Sequence, residues 1–419
     1  MTYFDLNLDL TSEDKAIREA AHKFAKEVMR PMGIELDRMS AEETVRANSP
    51  IWGFLKQAYE LGYHKAAFPE EVGGLGFTPL QSHILMEELF WGSAGLGAVL
   101  LLAAWPYIKI MHTMNEELIG EFVVPFCQST DASITGSWAI TEPDHGSDTL
   151  NVGAEFWSDP KIKMQVSAKA DGDEWVLNGQ KSAWVSCGPT ATHSMLNVHI
   201  DTTKGLAGGG TCILPLNLPG ISRGTALEKL GARDLPQGEL FFDNVRIPKR
   251  WMFADPENYS DWVINNLGFG NTSVGVVALG IARAAFEETL AYAKERVQGG
   301  RPLIDHYSIK VRIHRMFAQV EAIRAMTRAV WEVNARAYPP LAEYALAVKT
   351  FCTETAKEVV DEGVQIHGAN GLTKEYLIEK LWRDIRPMTI ADGENSVLNR
   401  LGGQILNDTF PRTTVNLIA

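Results

Sequence analysis

The spacing of apolar residues changes twice along this 419-residue chain. Up to about residue 130 they recur every three or four positions, a period that predicts helices, and residues 11–30 begin with the Thr-Ser-Glu-Asp start that favours a helix N-terminus. Residues 131–252 form short segments rich in Val, Ile, Thr and Trp, which indicates β-strands. Helical spacing then returns, most clearly over 275–297 and 309–334. The pattern predicts a helical part, an all-β part and a second helical part.

Turn sequences separate the segments of the all-β part, among them Asp171-Gly172-Asp173 and Pro219-Gly220. Asn-Gly supplies the positive φ angles of a two-residue hairpin, so we expect a hairpin turn at Asn178-Gly179. GELFFDNVRIP, residues 238–248, is a further strand candidate. We expect domain boundaries where the pattern changes, giving an N-terminal α-helical domain over 1–130, a middle β domain over 131–252 and a C-terminal α-helical domain over 253–419.

The composition is that of an ordinary folded protein, with 45% hydrophobic and 22% charged residues. A formal net charge of −13 argues against a nucleic-acid partner. No apolar run approaches the length of a membrane span, and the first residues do not resemble a leader peptide, so we expect a cytoplasmic protein without a membrane partner. The four cysteines are scattered without a Cys-x-x-Cys pair, which predicts reduced thiols and no metal site.

Three polar, glycine-containing segments carry the candidate chemistry. WAITEPDHGSD, residues 138–148, offers hydroxyls and backbone N–H groups to a ligand, or is an ordinary surface turn. QIHGANG, residues 365–371, could let a phosphate approach the backbone, or could be a helix C-cap. In IADGEN, residues 390–395, Asp392 would have a raised pKa if buried and could serve as a base; the alternative is a helix N-cap.

Five segments, in order and spread over nearly the whole chain, match the motifs of one family. They are PEEVGGLGF at 69–77, AITEPDHGSD at 139–148, LGARDLPQGELFFDNVRIP at 230–248, AKERVQGGRPLIDHYSI at 293–309, and QIHGANGLTKEY with WRDIRPMTIADG within 365–393. They resemble the acyl-CoA dehydrogenases. The resemblance implies the α+β acyl-CoA dehydrogenase fold, with an N-terminal helical domain, a middle β-barrel domain and a C-terminal four-helix bundle. It also implies an FAD cofactor and an acyl-CoA substrate.

The resemblance further implies which residues face the substrate. Asp392 would remove the α-proton of the thioester while a hydride passes from the β-carbon to the flavin, and Ala391 and Gly393 would flank the substrate beside it. Ser147 would contact the thioester arm of CoA. The resemblance thus makes Asp392 the expected catalytic residue.

The expected FAD contacts fall into two groups. Those at the flavin ring would be Trp138, Ile140, Thr141, Trp184 and Ser186, with the last two lying one residue later after Asn178-Gly179 than in other members. Gln365, Gly368 and Gly371 would lie along the pyrophosphate, and the FAD of a neighbouring subunit would be reached by Arg296 and Gln298. Contacts from two subunits imply an oligomer, in this family most often a homotetramer. An electron-transferring flavoprotein is the expected electron acceptor.

The chain also departs from the family's usual residues. The base is usually Glu where this chain has Asp392, the preceding residue is often Tyr where it has Ala391, and Asn271 stands where many relatives have Arg. Some relatives place the base near that Arg, but residues 267–272 contain no acid. A shorter base with an alanine neighbour leaves room beside the α- and β-carbons, so we hypothesise a bulky acyl group, alicyclic, branched or aromatic. Asp here also occurs in relatives that act on alicyclic esters. The alternative is that Glu and Asp are equally competent.

Two other functions are compatible with the sequence. A flavin oxidase of the same fold, resembling nitroalkane oxidase, would act on a small carbon acid without CoA and use oxygen; the intact Gly-Ser-Asp at 146–148 favours a CoA ester. A partner subunit of a mixed dehydrogenase oligomer would lack part of the site, whereas Arg296, the 365–371 segment and Asp392 all occur in this chain. The direction of the reaction, dehydrogenation or reduction, stays open.

Overall fold

The N-terminal helices begin where their capping residues predict. The computed structural model describes residues 4–417, and its first helix, α1 (Ser12–Phe24), begins after Thr11. The Thr11 hydroxyl accepts the N–H of Asp14, whose carboxylate accepts the N–H of Thr11, so two amides that lack helical partners are satisfied. A π-helical turn, Ala25–Met29, joins α1 to the next helix. The remaining helices of this part are α2 (Arg30–Arg38), α3 (Ala41–Val45), α4 (Pro50–Glu60), α5 (Pro79–Gly92), α6 (Ala94–Thr113), α7 (Glu116–Leu118) and α8 (Val124–Gln128).

Helix α6 is the longest of these and lies in the interior. Among the described residues it is the one helix long and apolar enough to cross a membrane by length and composition. However, 72% of its apolar window is buried inside the fold, as expected of a core helix. It packs against α5 and against the strands that follow.

The middle of the chain forms one sheet of eight strands. They are β1 (Trp138–Ala139), β2 (Ser167–Asp171), β3 (Glu174–Ser186), β4 (His193–His199), β5 (Gly209–Pro215), β6 (Ile221–Ala226), β7 (Gln237–Pro248) and β8 (Met252–Ala254). The strand order is β6-β7-β3-β1-β4-β5-β8, and β2 pairs with both β3 and β4. The pairs are antiparallel except that β4 runs parallel to β1 and β2. This confirms the β character predicted for residues 131–252.

The hairpin between β2 and β3 turns at Gly172-Asp173, where Asp171 pairs with Glu174. The predicted hairpin turn at Asn178-Gly179 is therefore wrong. β3 continues through these residues, Gly179 has a φ of +135°, and the pairing with β7 shifts register there. Because β3 has partners on both edges, the positive φ of glycine is used for a bulge inside a long strand rather than for a turn.

The C-terminal part is again helical, as predicted. Its two longest helices, α9 (Tyr259–Glu295) and α10 (Tyr307–Asn334), cover the stretches 275–297 and 309–334 except for the last two residues of the first. A short hairpin of β9 (Val297–Gln298) and β10 (Arg301–Pro302) joins them. Then follow α11 (Ala342–His367), α12 (Leu377–Ile385) and α13 (Asn395–Thr409). α9 packs against α10, α11 and α5, so the bundle and the N-terminal helices share a core.

Candidate active site

Asp392 lies in the loop between a 3-10 turn, Arg386–Thr389, and α13. Its backbone has a φ of +53°, uncommon for a residue other than glycine, and its side chain is partly buried beside the exposed Ala391. Removal from water raises the pKa of Asp392 above its usual value, and the positive charge of Lys349 opposes that shift. The carboxyl group therefore titrates nearer to neutrality than an exposed aspartate, which favours proton transfer.

The N-cap of α13 is Glu394 rather than Asp392. The Glu394 carboxylate accepts the N–H of Ser396 at 2.8 Å and that of Val397 at 3.3 Å. The Asp392 carboxylate accepts no hydrogen bond from any residue that the structure describes. The capping interpretation of Asp392 is therefore wrong, and its carboxylate is left available for a ligand.

Lys349, on α11, contacts the loop over residues 390–394, called here the base loop because it contains Asp392. It is fully buried, and its Nζ donates to the Gly393 carbonyl at 2.6 Å and to Asn395 Oδ1 at 2.7 Å. Burial lowers the pKa of Lys349 to about 8, against the opposing charge of Asp392. The ammonium thus fixes the loop on both sides of Glu394 and places a positive charge near the carboxylate.

Residues from two distant parts of the chain meet at the same loop. Ser147, from the 138–148 segment, accepts the N–H of Glu394 through its hydroxyl at 2.9 Å. Asn271, on α9, donates its side-chain amide to the Asp392 carbonyl at 3.5 Å. Asn271, in the stretch 267–272 that contains no acid, and Ser147, the expected contact of the thioester arm, therefore both lie beside the loop that contains Asp392.

The backbone of the base loop leaves two donors available. The N–H groups of Ala391 and Glu394 are used in hydrogen bonds within the fold. Those of Asp392 and Gly393 donate to no atom of the described residues. Free N–H groups beside a carboxylate can polarise a carbonyl oxygen that approaches it.

The expected flavin-ring contacts come together where β1 and β3 pair, inside the sheet. Trp138 on β1 pairs with Ser186 on β3, and the Thr141 carbonyl accepts the N–H of Ser182 at 2.9 Å. The indole of Trp184 is 55% exposed, and the Thr141 hydroxyl makes no hydrogen bond with a described residue. This region therefore offers an exposed aromatic ring and an available hydroxyl to a planar ligand.

β3 has a bulge just before Trp184 and Ser186. Between the pairs Lys181–Leu240 and Val185–Gly238, β3 advances four residues while β7 advances two, so two additional residues of β3 are absorbed there. Beyond it the ladder resumes, with Ser186 opposite Gln237.

A buried ion pair anchors the loop that carries Thr141. Lys181 Nζ lies 2.6 Å from Glu142 Oε1, and both side chains are fully buried. Lys181 also donates to the Ile140 carbonyl at 3.0 Å, and Glu142 accepts the N–H of Val166 at 3.0 Å. Residues on both sides of Thr141 are therefore fixed to neighbouring strands.

The second group of expected FAD contacts lies far from the first within one chain. Arg296 and Gln298 are exposed just after α9, and Tyr292, one turn earlier, stacks on His367 at the end of α11 with ring centroids 4.1 Å apart. Asn271 and Tyr292 are separated by about 30 Å along α9 at 1.5 Å per residue. A single chain therefore does not bring Arg296 near Asp392.

The segment 365–371 forms a helix C-terminus. α11 ends at His367, and Gly368 follows with a φ of +61°, while Gln365 is exposed on the last turn. The C-cap interpretation is thus the correct one for the local fold, and this end carries carbonyls rather than the N–H groups that favour phosphate. An added Cβ at Gly368 would meet nothing within 4 Å, whereas at Gly371 it would lie 2.7 Å from the Val364 carbonyl oxygen.

Two buried lysines and their partners were missed in the sequence. Lys349 and Lys181 each interrupt an otherwise apolar or strand-like segment, ALAVKTFC and NGQKSAWV. An isolated lysine in such a context is a usable signal, because a buried ammonium requires acceptors. The sequence does not reveal which acceptors those are.

The site therefore has the features of a carboxylate-based proton-abstracting centre next to a planar-ring site. Three family models match the chain: the N-terminal domain of the acyl-CoA dehydrogenases over residues 11–129, the middle domain over 137–245 and the C-terminal domain over 260–406.

Individual relatives agree with these matches. The chain is 30% identical to the protein named "Probable acyl-CoA dehydrogenase YngJ" of Bacillus subtilis (strain 168), over 94% of this chain and 97% of that protein. It is 27% identical to the 3-(aryl)acrylate reductase of Clostridium sporogenes, over 92% and 96% of the two chains. The solved structure of butyryl-CoA dehydrogenase from Megasphaera elsdenii superposes with a TM-score of 0.84 at 26% identity, over 96% of this chain and all of that one.

The chain belongs to the acyl-CoA dehydrogenase family. It is an FAD-dependent oxidoreductase with the N-terminal helical, middle β and C-terminal helical parts of that family. The region of Trp138, Thr141 and Trp184 fits a planar flavin ring, because it combines the exposed indole of Trp184 with a Thr141 hydroxyl that has no hydrogen-bond partner among the described residues.

Proposed function

We propose that the protein dehydrogenates the α,β-bond of a bulky acyl-CoA thioester, with Asp392 as the base. One observation supports the proposal most strongly: the Asp392 carboxylate has a raised pKa and accepts no hydrogen bond from residues 4–417, in a loop fixed by Lys349 and Ser147. A carboxylate with these properties can take up a proton from carbon more readily than a capped or ion-paired one.

In this mechanism the chain orients and polarises the thioester. Asp392 removes the α-proton, and its own N–H or that of Gly393 donates to the thioester carbonyl, where negative charge develops. Ser147 holds the base loop and lies beside the CoA arm. FAD, when bound, accepts the hydride from the β-carbon. The ring would lie against Trp138, Ile140, Thr141, Trp184 and Ser186.

A bulky acyl group is supported by the residues around the base. Aspartate is one methylene shorter than glutamate, and Ala391 beside it presents only a methyl group to the exposed side. The relative named 3-(aryl)acrylate reductase is consistent with an aromatic acyl group and with operation in the reducing direction. We place cyclohexanecarbonyl-CoA and arylpropionyl-CoA esters ahead of butyryl-CoA as substrates.

The proposal includes an oligomer and an electron acceptor. Arg296 and Gln298 are exposed and about 30 Å from the base along α9, so we assign them, with Gln365, Gly368 and Gly371, to the FAD of a neighbouring subunit. A homotetramer and an electron-transferring flavoprotein as acceptor follow from the family. We also propose domain boundaries after residues 130 and 252, where helices give way to the sheet and return. The free cysteines suit a reducing cytoplasm.

Anaerobic titration of the FAD-loaded protein with a panel of CoA esters tests the function. Wild type should lose the flavin absorption faster with cyclohexanecarbonyl-CoA than with butyryl-CoA or octanoyl-CoA. Asp392→Asn should bind the same esters, seen as a shift of the flavin band, without bleaching it. Unchanged bleaching by Asp392→Asn would remove Asp392 from the mechanism, and faster reduction by the straight-chain esters would refute the bulky substrate.

The same titration in air separates a dehydrogenase from an oxidase. A dehydrogenase should produce little peroxide, since its reduced flavin waits for a protein acceptor. Rapid peroxide formation with a nitroalkane, and none with CoA esters, would favour the oxidase instead. Asp361→Asn is the matched control for Asp392→Asn in both titrations. It removes the charge of an exposed aspartate on α11, away from the base loop.

A further inference from the structure

His145, in the 138–148 segment, has a hydrogen-bond acceptor at each of its two ring nitrogens. Its Nδ1 lies 2.6 Å from Asp148 Oδ2, and its Nε2 lies 2.9 Å from the Lys163 carbonyl oxygen. A neutral imidazole carries one N–H and donates to only one of these oxygens, whereas the imidazolium donates to both. The geometry therefore fits the protonated form of His145.

The charges around His145 also favour its protonated form. The side chain is 10% exposed, and this burial disfavours the cation. The hydrogen bonds to Asp148 and Lys163, with the negative charges of Asp148 and Glu142, outweigh the burial and raise the pKa of His145 above its usual value of 6.5. The other ionisable groups on the surrounding elements are Asp144 of the same loop, the Lys163 side chain, Lys181, which pairs with Glu142, and His199 of β4.

The loop that His145 stabilises carries Ser147. We call residues 142–148 the Ser147 turn. The Asp148 carboxylate accepts from His145 through Oδ2 and from the Gly146 N–H through Oδ1, the latter at 2.6 Å. The residues on both sides of Ser147 are thus fixed through the partner of His145. The Ser147 hydroxyl in turn accepts the N–H of Glu394 at 2.9 Å, so it joins the Ser147 turn to the base loop.

The Lys163 carbonyl belongs to a segment that also contacts the helix after the base loop. Residues 151–166, called here the connecting segment, lead from the Ser147 turn to β2. Arg400 of α13 donates to Asn151 Oδ1 and to the Val152 carbonyl, both at 2.6 Å. His145 therefore links the Ser147 turn to a segment that is itself fixed to α13.

We propose that His145 is a positioning residue whose protonated ring holds the Ser147 turn against the connecting segment, and so holds Ser147 in place for the base loop and the thioester arm of CoA. The inference rests on the proposed function and adds a dependence on pH to it. When His145 loses its proton, one of its two hydrogen bonds is lost, and the Ser147 turn is held less firmly.

The sign of the pH dependence follows from the raised pKa of His145. A group whose pKa is higher in the folded protein contributes stability that is complete below its usual pKa of 6.5. That contribution disappears as the pH rises through the raised value. Binding of the CoA ester should therefore weaken in alkaline solution, whereas proton abstraction by Asp392 weakens in acid.

Binding of a CoA thioether tests the inference without turnover. Cyclohexylmethyl-CoA lacks the carbonyl that acidifies the α-proton, so it reports affinity alone, measured as a shift of the flavin band of the FAD-loaded protein between pH 5 and 9. The Kd of wild type should rise by about fivefold as the pH passes the pKa of His145, the effect of one lost hydrogen bond. His145→Gln, which keeps a donor but does not titrate, should bind at every pH about as weakly as wild type does in alkaline solution.

His314→Gln, at an exposed histidine of α10, is the matched control and should keep the wild-type dependence on pH. Titration of the ligand itself is common to all of these proteins, so the difference between wild type and His145→Gln is the measure. Asp148→Asn keeps an acceptor for the Gly146 N–H but removes the charge beside His145, so it should move the weakening of binding to lower pH. It replaces His145→Gln if that variant fails to fold.

Thermal unfolding without any CoA compound keeps this inference apart from the proposed dehydrogenation. The Tm of wild type should exceed that of His145→Gln below pH 6.5, and the difference should shrink as the pH rises. If no CoA ester reduces the flavin, the dehydrogenation fails, and the thioether and Tm comparisons still decide the role of His145. A Tm difference that is independent of pH, or a His145→Gln protein that keeps the wild-type pH dependence of binding, would overturn the inference.

Discussion

At the residue scale, the ammonium of Lys349 affects the pKa of Asp392, the proposed base. Lys349 lowers the pKa of Asp392 while burial raises it, so the two effects oppose each other at the same carboxylate. Lys349 also holds the Gly393 carbonyl, which links the position of the loop to its electrostatics. Both properties belong to a single buried side chain on α11.

Lys349→Met should move the acid limb of the pH–rate profile for flavin reduction to higher pH. The proposed base acts when deprotonated, and loss of the neighbouring positive charge raises the pKa of Asp392 further. Stopped-flow reduction between pH 5 and 9 measures the shift. Lys357→Met, at an exposed lysine of the same helix, is the control. An acid limb that stays in place would show that Lys349 has a structural role alone.

Asp392→Glu tests what the missing methylene does. The longer base should still bleach the flavin but occupy the room left for a bulky acyl group. We expect the ratio of kcat/KM for cyclohexanecarbonyl-CoA over butyryl-CoA to fall by about tenfold, the usual effect of one methylene in a pocket. An unchanged ratio would mean that the aspartate carries no information about the substrate.

At the scale of elements, a buried ion pair fixes the loop that carries Thr141 to the sheet. Glu142 and Lys181 are fully buried and 2.6 Å apart, and they connect the loop around Thr141 to β3. Such a pair adds little compared with an apolar replacement of both residues, but removal of one partner leaves a buried charge. A variant that removes one partner should therefore be less stable than a variant that replaces both.

Lys181→Met should lower the free energy of unfolding by about 3–5 kcal/mol, because Glu142 is left without its cation. The double variant Glu142→Gln/Lys181→Met should recover much of that loss. Urea unfolding at saturating FAD measures both, and the FAD content of the purified variants reports on the loop. Equal destabilisation in the single and double variants would show that the ion pair is not the cause.

At the scale of the whole molecule, the two groups of proposed FAD contacts lie far apart within one chain. The base loop adjoins Asn271, whereas Arg296 follows the far end of α9. If Arg296 serves a neighbouring subunit, two different inactive variants should complement each other. This is a property of the assembly and not of any single chain.

Mixed oligomers of Asp392→Asn and Arg296→Glu should regain activity that neither variant has alone. In a mixed pair, one site combines the intact base of one chain with the intact arginine of the other, so about one quarter of all sites should be active after random assortment. Co-expression with two affinity tags, followed by flavin-reduction assays, measures this. Absence of recovery in verified mixed oligomers would indicate that Arg296 and Asp392 of one and the same chain serve one FAD, and would contradict the shared site.

Much of the fold and part of the site follow from local sequence. Helical periodicity, the Thr11 cap and the β-rich middle were predicted, because burial of one face and satisfaction of end amides depend on residues a few positions apart. Asp392 is predicted as the base by the family motif that contains it, because the local sequence alone also allows a helix N-cap. Asn178-Gly179 was misjudged, since a glycine at positive φ serves a bulge as well as a turn.

The sequence by itself determined the family and the order of helical and β parts, and it singled out Asp392 as the candidate base. Only the tertiary structure decided that Glu394 caps α13 and that Lys349 fixes the loop that contains Asp392. It also decided that Lys109 of α6 is buried beside Trp105 and Phe269, with no hydrogen-bond acceptor for its Nζ among residues 4–417. The physical reason is that desolvation and charge pairing depend on groups brought together from distant parts of the chain, which local patterns of apolar residues do not record.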